Sequence, residues 1–315
     1  MSDALTLAQM TDLHFGPLPR TPLHLLNLKR VTGTLNWYRS RRHVHDQAVA
    51  DRLVADLWAQ GADHFCVTGD ICNIGLPEEH ETALRWLQTI SQPSRVSVIP
   101  GNHDIYSTVR GDVGVRRWAP FMVSCGHGRA LAGGDETFPT VRVLGEGATR
   151  VALIGLNSAM ETPPLIAAGE LGRDQLERLQ RILREARVAG LGRVVMIHHP
   201  PLPGQAKRDR GLRDAERLRD ILMAEGADLV VHGHNHQTMF ATVESAFGVV
   251  PVVGAPSSSA AVAHGGEPLA QAHLFTVRMV DGRAVVRLRI RGLKAAGGTI
   301  EAPIVTLGER VLTTD

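Results

Sequence analysis

Apolar and polar positions alternate along this chain in two rhythms. Leu5–Met10, Phe65–Thr68, Val96–Ile99, Val151–Leu156, Val194–Ile197 and Leu229–Val231 are short apolar runs and predict buried strands. Between them, Ala48–Gln60 sets Ala48, Val49, Leu53, Val54, Leu57 and Trp58 at helical spacing, and Gly61 follows as a stop. Glu78–Ile90, Asp174–Val188 and Asp214–Glu225 predict further helices. Such alternation predicts an α/β chain with largely parallel β-structure.

After His236 the rhythm changes. Val249–Val253, His273–Val280 and Ala284–Arg291 are β-rich, and Asp281-Gly282 is a hairpin signal. The end of the chain is expected to form antiparallel strands on a second sheet. No internal repeat or linker divides the chain, so residues 1–315 are expected to be one domain. Two stretches read as insertions. One, at about 17–45, is basic and amphipathic; the other, at about 105–140, is Gly-rich and aperiodic, which suits a lid over a site.

Composition narrows the classes. With 315 residues, 43% apolar and 21% charged, the chain is neither disordered nor collagen-like. Its 34 Lys and Arg against 32 Asp and Glu give +2, so no broadly basic nucleic-acid surface exists and no nucleic-acid partner is expected. Locally the balance differs. Between Asp12 and Asp46 there is no acid, but there are Arg20, Lys29, Arg30, Arg39, Arg41 and Arg42. Cys66, Cys72 and Cys125 are an odd set that fits a reducing compartment. The apolar run between Asp3 and Asp12 is too short for a signal peptide, and no 18-residue apolar stretch occurs. The expected location is the cytoplasm.

The chemistry lies at the strand ends. The first strand ends in Asp12-Leu13-His14, the second in Gly69-Asp70 and the third in Gly101-Asn102-His103-Asp104. The others end in His198-His199 and Gly233-His234-Asn235-His236. In open α/β sheets such positions converge on one crevice, and so many polar groups would not be left unpaired there. Carboxylate, imidazole and amide donors suit Mn, Fe or Zn better than Ca. They are too many for one ion. Two ions about 3.5–4 Å apart account for the number and suit attack of hydroxide on phosphorus.

Asp12-x-His14, Gly69-Asp70, Gly101-Asn102-His103-Asp104, His198 and Gly233-His234-x-His236 together resemble the five-part signature of the calcineurin-like metallophosphoesterases. The parts occur in order over residues 12–236, about seven tenths of the chain. The resemblance implies a four-layer α/β/β/α sandwich of two mixed sheets flanked by helices, with the tail from Thr238 to Arg291 supplying the second sheet. It implies that Asp12, His14 and His236 hold one metal, that Asp70 bridges, and that Asn102, His198 and His234 hold the other. His103 would contact the phosphate and protonate the leaving group, and His199 would support His198. The implied reaction is hydrolysis of a phosphodiester or pyrophosphate bond by a metal-bridging hydroxide. Away from the ligands, Asp104 reads as a helix N-cap, Asn235 as a spacer, and Cys66 and Cys72 as buried fillers.

The basic arm leaves three readings. Its apolar side packs on the body with its bases in water; or it lies on an anionic membrane surface through residues 20–42 or grips an acylated substrate; or its bases receive a phosphate-rich ligand near Asp12 and His14. The arm favours a lipid-linked substrate such as UDP-diacylglucosamine, and with it a peripheral position at the inner face of the membrane. Cyclic-nucleotide or glycerophosphodiester cleavage is the alternative, and a non-catalytic metal-binding scaffold is the alternative of another class.

Overall fold

A computed structural model describes residues 4–134, 137–294 and 302–313. In chain order its first half runs β1 (Leu5–Met10), α1 (Leu28–Arg39), α2 (Gln47–Ala59), β2 (His64–Val67), α3 (Pro77–Ile90), β3 (Val96–Val98), α4 (His127–Leu131), β4 (Thr140–Leu144) and β5 (Val151–Gly155). The second half runs α5 (Arg173–Val188), β6 (Gly192–Met196), α6 (Ala215–Glu225), β7 (Leu229–His232), β8 (Met239–Ser245), β9 (Gly248–Gly254), β10 (Gln271–Val280), β11 (Arg283–Leu293) and β12 (Ile304–Val311).

The strands form two six-stranded sheets, ordered β12-β11-β10-β1-β2-β3 and β4-β5-β6-β7-β9-β8. β1, β2 and β3 run parallel, as do β5, β6, β7 and β9; the flanking strands pair antiparallel. The tail expected on a second sheet is in fact divided. β8 and β9 complete the sheet of β4–β7, while β10, β11 and β12 extend the sheet of β1. Local alternation reveals a strand but not which edge it joins. At the hairpin, Asp281 and Gly282 both take positive φ, 48° and 79°, which is the backbone a tight two-residue turn demands.

Burial along β1 follows the period of two. Leu5 and Leu7 enter the layer between the sheets, with Phe275, Val277 and Val286 facing Leu153, Val194, Met196 and Val231. Ala8 and Met10 face outward onto Val49, Leu53 and Leu57 of α2 and Trp86 and Leu87 of α3. α5 and α6 cover the other sheet through Leu176, Leu179, Leu183, Leu218 and Leu222. The layers are therefore α/β/β/α.

Of the two insertions, the arm departs from expectation. In the 105–140 stretch, residues 135–136 lie outside the described residues. Within it, Trp118 and Phe121 are buried beside α3, and Trp118 Nε1 donates to the His80 carbonyl at 2.9 Å. The arm is inside out. α1 starts at Asn27, whose side chain accepts from Arg30 N at 2.8 Å. The α1 residues buried are Lys29, Arg30 and Trp37. Leu23, Leu26, Leu28, Val31, Leu35 and Tyr38 stand in solvent, Leu23 at 86% and Leu28 at 69% exposure. The reading with apolar side inward and bases solvated is thereby corrected for the leucines and for Lys29 and Arg30, while Arg20, Arg39 and Arg42 are exposed. Arg30 is held by the carbonyls of Leu25, Ile74, Gly75 and Ser107, which the loops after β1, β2 and β3 present in place of an apolar face.

Candidate metal centre

The C-terminal ends of the parallel strands β1, β2, β3, β6 and β7 lead into one crevice. There the structure brings together all seven side chains that the sequence singled out as ligands, every one buried. Five of them, Asp12, His14, Asp70, His234 and His236, have φ between 45° and 71°. Left-handed backbone at bulky residues is a strained choice that persists where the surroundings impose it, and it clusters at functional sites. Glycine permits the approach of the loops. A Cβ on Gly233 would lie 2.1 Å from Thr11 Oγ1 and 2.5 Å from Asp12 Oδ2.

Two triads form. Asp12, His14 and His236 bring ligand atoms within 4.8 Å of one another, and so do Asp70, His198 and His234. Asp70 lies between them, with Oδ2 3.4 Å from His198 Nε2 and 3.9 Å from His14 Nε2. Asn102 Oδ1 is 2.9 Å from His234 Nδ1 and 3.2 Å from His198 Nε2.

The outer contacts fix which nitrogen of each ring faces inward. His14 Nδ1 meets the Cys72 carbonyl at 3.1 Å, His198 Nδ1 the Thr68 carbonyl at 2.8 Å, and His236 Nδ1 the Glu267 carboxylate at 2.8 Å. Each partner accepts, so each Nδ1 carries a proton and each Nε2 is the nitrogen turned to the centre. His14 Nε2 and His236 Nε2 then face each other at 3.3 Å, and His236 Nε2 faces Asp12 Oδ1 at 3.2 Å. Asp12 Oδ1 and His234 Nε2 are buried without a hydrogen-bond partner. Acceptor groups converging in this way need positive charge among them, as protons on the imidazoles or as cations.

The electrostatics agree. Burial would raise the Asp70 carboxyl, yet His198 and His103 hold it well below the usual carboxylate range. Burial is likewise overcome at His198, which Asp70 raises to about 9, and at His236, which Asp12 and Glu267 raise to about 9. Burial and Arg41 push His14 well down. These carboxylates draw positive charge from imidazoles, which two cations would supply in their place.

His103 stands at the edge of the triads. Its backbone N donates to Asp70 Oδ1 at 2.7 Å, and Nδ1 meets the Asn73 carbonyl. The terminal nitrogens of Arg41 lie 3.2 and 3.0 Å from its Nδ1 and Nε2. Burial and then Arg41 push the ring down to about 3. Asp104 is not a helix cap. Its carboxylate accepts from the backbone N of Asp70, Ile71, Cys72 and Gly101, tying the second and third ligand loops together. His199 turns away from the centre. Nδ1 meets Ser158 Oγ at 2.8 Å and Nε2 the Ala167 carbonyl at 3.1 Å.

Several residues escaped the sequence reading. His45 packs its ring 4.9 Å from that of His14, and Glu267 orients His236. Neither belongs to a motif. Ser257, Ser258 and Ser259 bond Asp12 O, Thr11 N and Leu13 O, and their run was a visible signal. The arm forms one wall of a 540 Å³ cleft over the centre. Lys29, Arg39 and Arg41 line it with Tyr106, Leu165 and Arg210.

Comparison with known proteins agrees with this architecture. The family model for calcineurin-like phosphoesterases matches residues 5–238. A probable cyclic nucleotide phosphodiesterase of Synechococcus sp. (strain WH7803) is 30% identical over 196 residues, covering 59% of this chain and 64% of that protein. The chain thus spans a little under two thirds of the curated relative it matches. A dimetal phosphatase from Danio rerio shares the fold at TM-score 0.55 and 15% identity, over 96% of this chain and 99% of that one. A purple acid phosphatase from yellow lupin (Lupinus luteus) seeds does so at TM-score 0.55 and 11% identity, over 97% and 54%. The matched stretch begins with β1 and ends just past His236, so it spans every strand end that feeds the crevice, and the chain belongs to the calcineurin-like phosphoesterase family.

Proposed function

We propose that this chain hydrolyses phosphodiester or pyrophosphate bonds at a two-metal centre. The observation that carries the reading is the pair of triads with Asp70 between them. Asp12, His14 and His236 would hold one ion, Asn102, His198 and His234 the other, and Asp70 would reach both. The donor set accepts Mn, Fe or Zn. Ions bound there would acidify water and clamp the attacking and leaving oxygens.

The protein's own groups do the rest. Glu267 and the carbonyls of Cys72 and Thr68 hold three imidazoles in the tautomer that ligates. The Asn73 carbonyl holds His103 Nδ1, which leaves Nε2 to meet the phosphate; a proton that the bound phosphate draws onto this otherwise neutral ring would pass from Nε2 to the leaving oxygen. Arg41 adds positive charge beside that nitrogen. Leu35, Leu165 and Ile166 add apolar surface to the lining of the cleft.

The test is turnover. Purified protein with Mn²⁺ should hydrolyse bis(p-nitrophenyl) phosphate, and His103→Ala should bind metal yet lose about 10²–10⁴ of the rate. A metal-loaded but inert wild type would instead make the chain a binding scaffold. The substrate has two candidates. The apolar residues exposed along the arm, of which Leu35 lines the cleft, support a lipid-linked substrate such as UDP-diacylglucosamine and contact with an anionic membrane. The printed function of the Synechococcus relative supports a cyclic nucleotide. A panel of cyclic nucleotides, glycerophosphodiesters and nucleotide-linked lipids separates them by kcat/KM.

A further inference from the structure

We propose that the inserted arm is an anion clamp for the phosphate next to the one cleaved. Arg41 takes the near position and Lys29 the far one, so the site is built for pyrophosphate-linked substrates rather than single phosphodiesters. The proposal rests on the hydrolase reading above and names its substrate class.

The first observation is the inverted helix. α1 leaves Leu28, Val31, Leu35 and Tyr38 in solvent while Lys29 is only 8% exposed. That arrangement forgoes hydrophobic burial on both counts, and something must offset it. Arg30, also turned inward, is fully served by four backbone carbonyls and is structural. Lys29 and Arg41 are not served in this way. Lys29 Nζ donates to Thr162 Oγ1 at 2.9 Å and stands 4.4 Å over the Tyr106 ring; Arg41 faces the His103 imidazole. Among the described residues no carboxylate pairs with either within 4 Å. Glu161 acts on Lys29 and Asp70 on Arg41 only from farther off; a sequestered cation without a close anion is costly, and both of these cations line the cleft. Burial lowers the Lys29 ammonium to about 8, as expected of a cation awaiting a counter-charge.

The second observation is their order. The Tyr106 ring stacks on His103 with centroids 5.4 Å apart, and Lys29 sits on Tyr106. Arg41 is thus beside His103, and Lys29 stands farther along the wall, on the tyrosine ring stacked against that histidine. Arg39 and Arg210 add charge to the same wall. Asp70 is the one carboxylate among the described lining residues, and it is engaged with His198 and His14. A cyclic nucleotide brings one charge, which the centre and Arg41 meet. A pyrophosphate diester brings a second, and Lys29 is where it would go. The arm is seated for this task. Tyr106 Oη donates to the Lys29 carbonyl at 3.1 Å, and a Cβ on Gly33 would lie 2.5 Å from that hydroxyl. The close approach of α1 to Tyr106 therefore requires glycine there.

The test uses the full chain and two readouts. With metal removed by chelator, calorimetry with inorganic pyrophosphate and orthophosphate should show pyrophosphate bound about ten-fold tighter. Lys29→Met should abolish that preference and Lys29→Arg should restore it. Should Lys29→Met fail to fold, Lys29→Gln, which retains a donor for Thr162, is read in the same way. Equal binding of the two anions by the wild type, or an unchanged preference in the variant, overturns the clamp. With Mn²⁺, Lys29→Met should lower the ratio of kcat/KM for ADP-ribose over bis(p-nitrophenyl) phosphate about ten-fold, through KM. An unchanged ratio also overturns it. If the wild type cleaves neither compound, the hydrolase reading fails, while calorimetry in chelator still decides the clamp.

Discussion

Glu267 shows how much of the centre depends on residues that touch no substrate. It lies between β9 and β10, far along the chain from the ring it serves, and accepts from His236 Nδ1 at 2.8 Å. Glu267→Gln turns a carboxylate into an amide that can present the wrong group to Nδ1. Metal affinity should fall about 10–100-fold, read by competition with a fluorescent chelator, while the fold is retained. Unchanged affinity would mean that His236 needs no such partner. The seven ligand candidates were legible because each sits within a few residues of a strand end, where local pattern and chemistry coincide. Glu267 and His45 were not, whereas Arg41 was marked by the acid-free basic stretch that follows the first ligand motif. The proximity of Glu267 and His45 arises only when the arm and the late loops close over the crevice, and nothing in their own neighbourhoods marks it.

At the scale of elements, the parallel strands were readable from apolar runs and the long helices from their spacing. β4, β8 and β12 were missed because half-buried edge strands carry a weaker alternation; β12 is mostly exposed. α1 was visible as a helix but misread in orientation. Its leucines suggested a buried stripe, yet the groups it needed to bury were cations facing a cleft. The consequence is an apolar ridge of Leu23, Leu26, Leu28, Val31, Leu35 and Tyr38, with Arg20, Arg39 and Arg42 exposed among it. Such a ridge should sediment with vesicles containing anionic lipid, and Leu23→Asp with Leu28→Asp should release the protein. Equal, negligible sedimentation of wild type and variant would remove membrane contact from the account. Among the described residues no helix is long and apolar enough to cross a membrane.

The whole molecule places two sheets face to face and buries uncharged histidines away from the metal ligands. His64 bonds Ser97 Oγ at 2.9 Å, and burial, with Arg142 and Arg95, pushes it down to about 3; burial pushes His273 to about 3 as well. Both lie below the value of 6.5 for a free imidazole, so the folded state binds fewer protons than the unfolded one. Their stabilisation is complete above pH 6.5 and is lost as pH falls from there toward 3. In chelator, the unfolding free energy of His64→Gln should fall less steeply between pH 6 and 4 than that of the wild type. The difference should be about 1.4 kcal/mol per pH unit, measured by urea titration. Parallel curves would show that His64 is charged in the folded protein.

The seven ligand candidates, the inward-facing nitrogens and the left-handed backbone all converge on one property, the capacity of this crevice to hold two cations with Asp70 between them. Titration of the chelated protein with Mn²⁺, followed by calorimetry and by the loss of the free-ion resonance signal, measures that capacity directly. The account requires two ions per chain for the wild type and weakened binding at both positions for Asp70→Asn. A single ion, or two ions whose binding Asp70→Asn leaves untouched, would contradict it.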